Sequence, residues 1–227
     1  MALMRRPVAR PTYPSWNYSF AEILADGAVH VVGIVLGLVG AVVLIAWAAG
    51  SAHAGELAAA VVYTAALLAM LGISAAYNLW PVSRTKWILR RFDHSAIYVL
   101  IAGTYTPLMT QVKASFGTVA LLVGIWATAL VGAALKLALP GRLDRISILI
   151  YLLLGWSVVA VYDSVAAALP ASALALIAAG GLLYSGGVVF HVWSGLRFQN
   201  AIWHAFVLAA AACHWGAILD CLVLARS

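Results

Sequence analysis

Long apolar segments alternate with short polar ones along most of the chain. Backbone groups in lipid must find hydrogen-bond partners within the protein, and no period-2 alternation marks strands. A helical span needs about 20 mainly apolar residues. The pattern therefore predicts an all-α, seven-transmembrane helix bundle, with spans at approximately residues 28–49, 56–80, 95–112, 117–138, 146–163, 171–193 and 202–223.

Composition agrees with burial in lipid. Of the 227 residues, 65% are hydrophobic and 9% are charged, whereas an average soluble domain has about 45–50% apolar and about 25% charged residues. A soluble protein this apolar could not cover its surface with polar groups. We therefore expect an integral membrane protein, with a short basic tail at residues 1–20 and a single seven-helix membrane domain at 21–227.

The basic residues predict the orientation. If the N-terminus lies on one side, eleven Lys and Arg residues share that side and two lie on the other. Basic loops face the cytoplasm, so we expect a cytoplasmic N-terminus and an outside C-terminus. The net charge of +6 then suits anionic lipid head groups better than nucleic acid. The eleven are Arg5, Arg6, Arg10, Arg84, Lys86, Arg90, Arg91, Lys136, Arg142, Arg145 and Arg197; the two are Lys113 and Arg226.

Polar residues inside the spans form a predicted layer near the cytoplasmic face. Ionisable residues in a span are costly and mark candidate sites. These polar residues could instead have purely structural roles, as hydrogen bonds between helices or as a salt bridge from Asp93 to Arg90 or Arg91. Parts of four spans favour a shared site instead. The layer contains Ser74, Asn78, Asp93, His94, His191, Asn200 and His204.

Three further polar features lie near this layer. His30 is expected in the inner half of span 1. Glu22 and Asp26 precede it in the amphipathic stretch FAEILADGAVH, which predicts a short helix along the inner surface. His214 lies about 15 Å deeper than His204 at 1.5 Å per residue, so it is expected to belong elsewhere.

Several motifs resemble the bacterial hemolysin III proteins of the progestin and adiponectin receptor superfamily. The most specific are LRRFDHSAIYVLIAGTYTP in span 3 and NAIWHAFVLAAAACHW in span 7. HVVGIVLGLVG, SAAYNLWP and GGLLYSGGVVF support them in order along the chain. The resemblance implies a multi-pass, seven-helix bundle in a bacterial inner membrane, with a cytoplasmic N-terminus. In the wider superfamily it also implies a zinc site near the cytoplasmic side.

The implied zinc ligands are a histidine in an S-x-x-x-H pattern and two in an H-x-x-x-H pattern. This chain has Asn78 and Asn200 at two of these positions and keeps His204. Asp93 and Ser74 stand where the resemblance implies residues that hold a zinc-bound water. Three arrangements remain open: a metal-free network, a rearranged site joining His204 to His191, Asp93 or His94, and weak zinc binding through asparagine oxygens.

Three functions follow as hypotheses. The first is a role in membrane lipid homeostasis or sensing, with a small lipid ligand. The second is a zinc-type hydrolase of a lipid amide or ester, with Asp93 and Ser74 as catalytic candidates. The third is the cytolytic activity that the family name implies. The asparagines favour the first, and whether the chain is an enzyme stays open.

Overall fold

Every regular element in the described part of the chain is helical. The computed structural model describes residues 16–51, 53–139, 141 and 144–223. Its helices are α1 (Phe20–Ser51), α2 (Ala54–Leu79), α3 (Arg84–Met109), α4 (Phe116–Ala138), α5 (Asp144–Trp156), α6 (Tyr162–Ala168), α7 (Ala171–Val192) and α8 (Gln199–Leu222), with a 3₁₀ turn at Ser157–Val161 between α5 and α6.

Helix starts are fixed by side chains that satisfy the first free backbone N–H groups. The Ser83 hydroxyl accepts a hydrogen bond from the Lys86 N–H at the start of α3. Ser115 and Thr118 cap α4 reciprocally. At the C-terminal end of α2, the Lys86 ammonium donates to the carbonyls of Tyr77, Asn78 and Trp80 at 2.9–3.0 Å. One lysine thereby ties the end of α2 to the start of α3.

Sequence neighbours pack side by side, and α1 closes the bundle against α8. The closest packing joins α7 to α8, α2 to α3, α3 to α4, α1 to α2 and α1 to α8. Small residues permit this approach. A Cβ on Gly103 would lie 2.8 Å from the Ala66 Cβ, and one on Gly187 would lie 2.9 Å from the Phe206 Cβ.

Six helical segments of the described chain are long and apolar enough to cross a membrane. The chain is therefore a multi-pass membrane protein in a lipid environment, and large apolar side chains such as Val42 and Leu36 face outward from α1. Helix α3 is not among the six, because basic residues occupy its start and the remainder mixes Asp93, His94, Ser95 and a Gly-Thr-Tyr-Thr-Pro stretch at 103–107 with its apolar residues. The seventh span and the orientation of the termini remain predictions.

Two boundaries differ from those predicted. Helix α1 starts at Phe20, so Glu22 and Asp26 belong to it and the separate surface helix predicted there is wrong. Helix α3 starts at Arg84 and carries Asp93 within its third turn. In both cases polar residues extend a helix beyond its apolar core, which hydropathy alone does not register. Arg5, Arg6, Arg10, Arg142 and Arg226, used for orientation, lie outside the described residues.

The fifth predicted span is interrupted. The Tyr105 hydroxyl of α3 accepts a hydrogen bond from the Val158 N–H at 2.9 Å and lies 3.0 Å from the carbonyl oxygens of Leu154 and Gly155. These contacts satisfy backbone groups that a regular helix would pair internally. They accompany the 3₁₀ turn that separates α5 from α6.

Candidate functional site

A cavity of about 370 Å³ lies inside the bundle. Its walls come from α2, α3, α5, α7 and α8. All seven residues of the predicted polar layer line it: Ser74, Asn78, Asp93, His94, His191, Asn200 and His204. The structure therefore brings together side chains up to 130 residues apart in sequence, as the short connections between spans implied.

Ser74 and Asn78 form one rigid corner of the cavity. The Asn78 amide nitrogen donates to the Ser74 carbonyl at 3.0 Å and to its hydroxyl at 3.3 Å. The carbonyl of Asn78 is held in turn by Lys86. The asparagine side chain thus returns to its own helix, in contrast to the interhelical hydrogen bond considered from sequence.

Asp93 faces histidine and serine, not arginine. Its Oδ2 lies 3.4 Å from the His94 Nδ1, and its side chain is 14% exposed. The Ser74 side chain lies within interaction range of the carboxylate. Arg90 is committed elsewhere, because its Nη2 lies 2.6 Å from Asp144.

The salt bridge considered for Asp93 is therefore wrong. Asp144 receives both Arg90 and the Nζ of Lys136, each at 2.6 Å. Arg91 donates to the carbonyl of Leu137 at 3.3 Å. These three cations are held by groups from the end of α4 and the start of α5, so the Asp93 carboxylate stays directed at the cavity.

His94 and His191 occupy neighbouring parts of the wall. The Tyr151 hydroxyl donates to the His94 carbonyl at 2.7 Å, which fixes α5 against α3. The His191 ring lies against Trp203, with 4.9 Å between ring centroids. Its carbonyl accepts from the Gln199 amide at 2.6 Å.

His214 lies on the same cavity wall as His204. The cavity extends along α8, so the two histidines line it at different depths. That His214 does not share a site with His204 remains a prediction. The His214 ring contacts Tyr184, with 5.5 Å between ring centroids. Asn200 also lines the cavity and lies within hydrogen-bonding range of Tyr18. Burial raises the pKa of the Tyr18 phenol, which therefore stays protonated and able to donate a hydrogen bond.

Helix α1 contributes two residues that the predicted site did not include. The His204 Nδ1 lies 2.6 Å from the Asp26 Oδ1, and the His30 Nε2 lies 3.7 Å from the Asp26 Oδ2. The two imidazole rings are 4.5 Å apart between centroids. Within the described part of the chain, this is the one group of three residues with donors close enough to hold a metal ion. The D-x-x-x-H spacing of Asp26 and His30 was the available signal.

The positions implied by resemblance do not fit zinc. Zinc favours imidazole, thiolate and carboxylate donors, and two of these positions offer neutral amides. The Asn78 amide is engaged with Ser74, and the His204 Nδ1 is directed at Asp26. His204 thus pairs with α1 in this structure. His191 also lines the cavity and remains a predicted substitute ligand.

Comparisons with known proteins agree with the motifs. A family model described as haemolysin-III related matches residues 20–215. The chain is 34% identical to the hemolysin-3 homolog of Bacillus subtilis, over 89% of this chain and 95% of that protein. It is 32% identical to hemolysin-3 of Bacillus cereus, over 84% of this chain and 87% of that protein. It is 29% identical to the human monocyte to macrophage differentiation factor, over 69% of this chain and 67% of that protein. No solved structure matches the chain.

Proposed function

Because the chain belongs to the haemolysin-III related family, we propose that this membrane protein binds a lipid in its cavity and acts in membrane lipid sensing or homeostasis. The observation that carries the proposal is the mixed lining of the cavity. Its walls combine the ionisable and amide side chains of the polar layer with many apolar side chains and some tyrosine, threonine and histidine side chains. A lipid likewise combines a polar head group with an acyl chain.

The cavity's chemistry and size support such a ligand. Ligand pockets measure about 300–1,000 Å³ and combine apolar walls with a few placed polar groups. Met70, Leu100, Ile101 and Val207 supply apolar wall, and Asp93 with its histidine neighbours supplies the polar part. A head group with a hydroxyl, amide or amine can donate to the carboxylate while its chain lies among the apolar residues.

We propose that the polar part lies on the cytoplasmic side of a bacterial inner membrane and that α3 is a seventh span. Seven crossings place the N-terminus and C-terminus on opposite sides. The described basic residues near the polar part are Arg84, Lys86, Arg90, Arg91, Lys136, Arg145 and Arg197. Lys113 is the described basic residue at the other end. The positive-inside rule supports this orientation.

A matched pair of substitutions on α7 tests the lipid proposal. Val188 lines the cavity, whereas its neighbour Val189 is 55% exposed on the outside of the bundle. Val188→Trp adds bulk inside the cavity, and Val189→Trp adds the same bulk to the lipid-facing surface. Native mass spectrometry of the detergent-purified protein measures the lipid retained.

We expect Val188→Trp to lose the retained lipid while Val189→Trp keeps it. Equal retention in both variants, or no lipid retained by the unsubstituted protein after mild detergent extraction, contradicts the proposal. Disruption of the gene with unchanged membrane fluidity and lipid composition contradicts the homeostasis part alone.

A zinc-type lipid hydrolase is the second candidate. The observation that favours it is the Asp93 carboxylate beside Ser74 and two histidines in one cavity. In such an enzyme Asp93 would accept a proton from the attacking water, and Ser74 would orient the carboxylate. Release of fatty acid from lipid amides or esters, abolished by Asp93→Asn and by a chelator, is the expected result. Release unaffected by Asp93→Asn rejects this candidate.

A further inference from the structure

The seam between the first and last helices carries a cluster of buried donors. We propose that Asp26, His30 and His204 bind a divalent transition-metal ion such as zinc, through one carboxylate oxygen and two imidazole nitrogens. This site is distinct from the positions at Asn78 and Asn200 and shares only His204 with them. It does not rest on lipid binding, so the two proposals succeed or fail separately.

The donor set suits such an ion. Zinc sites with three protein ligands use combinations of two histidines and one carboxylate, and a water completes the coordination. Two imidazoles and one carboxylate are also the set used by several other first-row metals. Asp26 and His30 lie four residues apart on α1, on one face of the helix. His204 approaches from the second turn of α8.

The spacing is close to that of a coordinated ion. Tetrahedral coordination with bonds of about 2.0–2.1 Å separates ligand atoms by about 3.3–3.4 Å. One donor atom from each of the three residues lies within 4.8 Å of the other two. The His30 Nε2 is 3.7 Å from the Asp26 Oδ2, and the His204 Nδ1 is 2.6 Å from the Asp26 Oδ1. Side-chain rotations would therefore be enough to bring one carboxylate oxygen and the two nitrogens to a common ion.

Hydrogen bonding alone leaves the cluster incomplete. Asp26 and His204 satisfy each other at 2.6 Å, but the His30 Nε2 is buried without a hydrogen-bond partner. His30 is 5% exposed and Asp26 is likewise 5% exposed. A buried polar atom without a partner is costly and rare. An ion placed between the three side chains would give that nitrogen a partner and would neutralise the buried carboxylate.

The surroundings favour a cation over an anion. Asp26 brings a negative charge, and the Glu22 carboxylate lies one turn earlier on α1, where its Oε1 accepts from the Phe198 N–H at 3.1 Å. No ion pair of the described residues links Asp26 to lysine or arginine. Bound metal would thus add a further tie at a seam where Glu22 and Trp215 already join α1 to α8.

Metal quantification on the full-length, detergent-purified protein tests the site. The protein is stripped with a chelator, incubated with zinc alone, desalted and measured by inductively coupled plasma mass spectrometry. We expect about one zinc per chain. Asp26→Asn and His30→Gln should each weaken zinc binding at least tenfold, whereas His53→Gln, outside the cluster, should leave it unchanged.

Two further measurements keep the result interpretable. Size-exclusion profiles show whether each variant is folded. Cobalt(II) added to the unsubstituted protein should give the visible absorption of a four- or five-coordinate nitrogen and oxygen site, which needs no variant. Less than 0.1 zinc per chain, or zinc binding unchanged in folded Asp26→Asn and His30→Gln proteins, overturns the proposal. Zinc binding that is lost in the His191→Gln variant but kept in the His30→Gln variant overturns the proposal in favour of a site that includes His191.

Discussion

Gly132 on α4 allows Tyr98 to pack, and its replacement by alanine should destabilise the wall of the cavity. A Cβ at this position would lie 2.5 Å from the Tyr98 Cζ and 2.6 Å from its Cε1. The tyrosine has little freedom to yield, because it is 2% exposed and its ring meets that of Tyr151 edge-on at 4.5 Å. Tyr151 in turn holds the His94 carbonyl. The extra methyl group must therefore displace a packed column that ends at the polar residues.

The magnitude follows from two opposing effects. Overpacking of this kind costs typically 1–3 kcal/mol, about 3 kcal/mol for so short a contact. Replacing glycine by alanine in a helix interior returns about 1 kcal/mol. The net loss is about 2 kcal/mol, and each kcal/mol lowers the melting temperature of a chain this size by about 2–4 °C. We expect Gly132→Ala to melt about 4–8 °C lower.

Gly124→Ala on the same helix is the matched control. A Cβ there would meet no atom within 4 Å, so only the gain in helix propensity applies. The melting temperature should therefore stay the same or rise. Thermal unfolding followed by tryptophan fluorescence in one detergent compares the two. Equal melting temperatures for the two variants refute the packing argument. In a Tyr98→Leu background, which removes the ring, the Gly132→Ala penalty should largely disappear.

The remaining predictions concern charge, metal and topology. Asp144→Asn leaves two cations without their shared carboxylate and should destabilise the protein by about 3 kcal/mol in thermal unfolding, whereas Asp163→Asn at an exposed position should change it by less than about 0.5 kcal/mol. Asn78→His combined with Asn200→His should create zinc binding, measured by metal analysis, that survives His30→Gln; binding still abolished by His30→Gln would contradict this. Alkaline phosphatase fused at the C-terminus should be active in intact bacteria, and an inactive fusion would reverse the proposed orientation.

The helix positions and the cavity could be anticipated from sequence because both depend on simple features. Apolar run length places the helices, and short connections return alternate helix ends to the same face. Ser74, Asp93 and His204 therefore had to approach one another. Their helical phase was also readable, since residues four apart share a face.

The contact of His204 with Asp26 and His30 of α1 could not be predicted from the helical pattern in the same way. Glu22, Asp26 and His30 mark one polar face near the start of α1, but the rest of the helix is apolar nearly all round, so the sequence does not say which neighbour that face meets. Asp26 and His30 could have faced lipid or any neighbour. Only packing against α8 shows that they meet His204.

Two other features depended on distant partners. Arg90 stands three residues from Asp93 but pairs with Asp144, 54 residues away, because the start of α5 packs beside α3. The interruption after Trp156 has no proline to announce it. It coincides with a hydroxyl from Tyr105, about 50 residues earlier, which a local pattern cannot reveal.

That interruption divides the predicted fifth span into two helical segments. The Tyr105 hydroxyl of α3 lies at the junction, where it contacts backbone groups of Leu154, Gly155 and Val158. Tyr151, Leu152 and Gly155 all lie on the α5 half and line the cavity. The position of this part of the cavity wall therefore depends on a single hydroxyl group of the neighbouring helix α3.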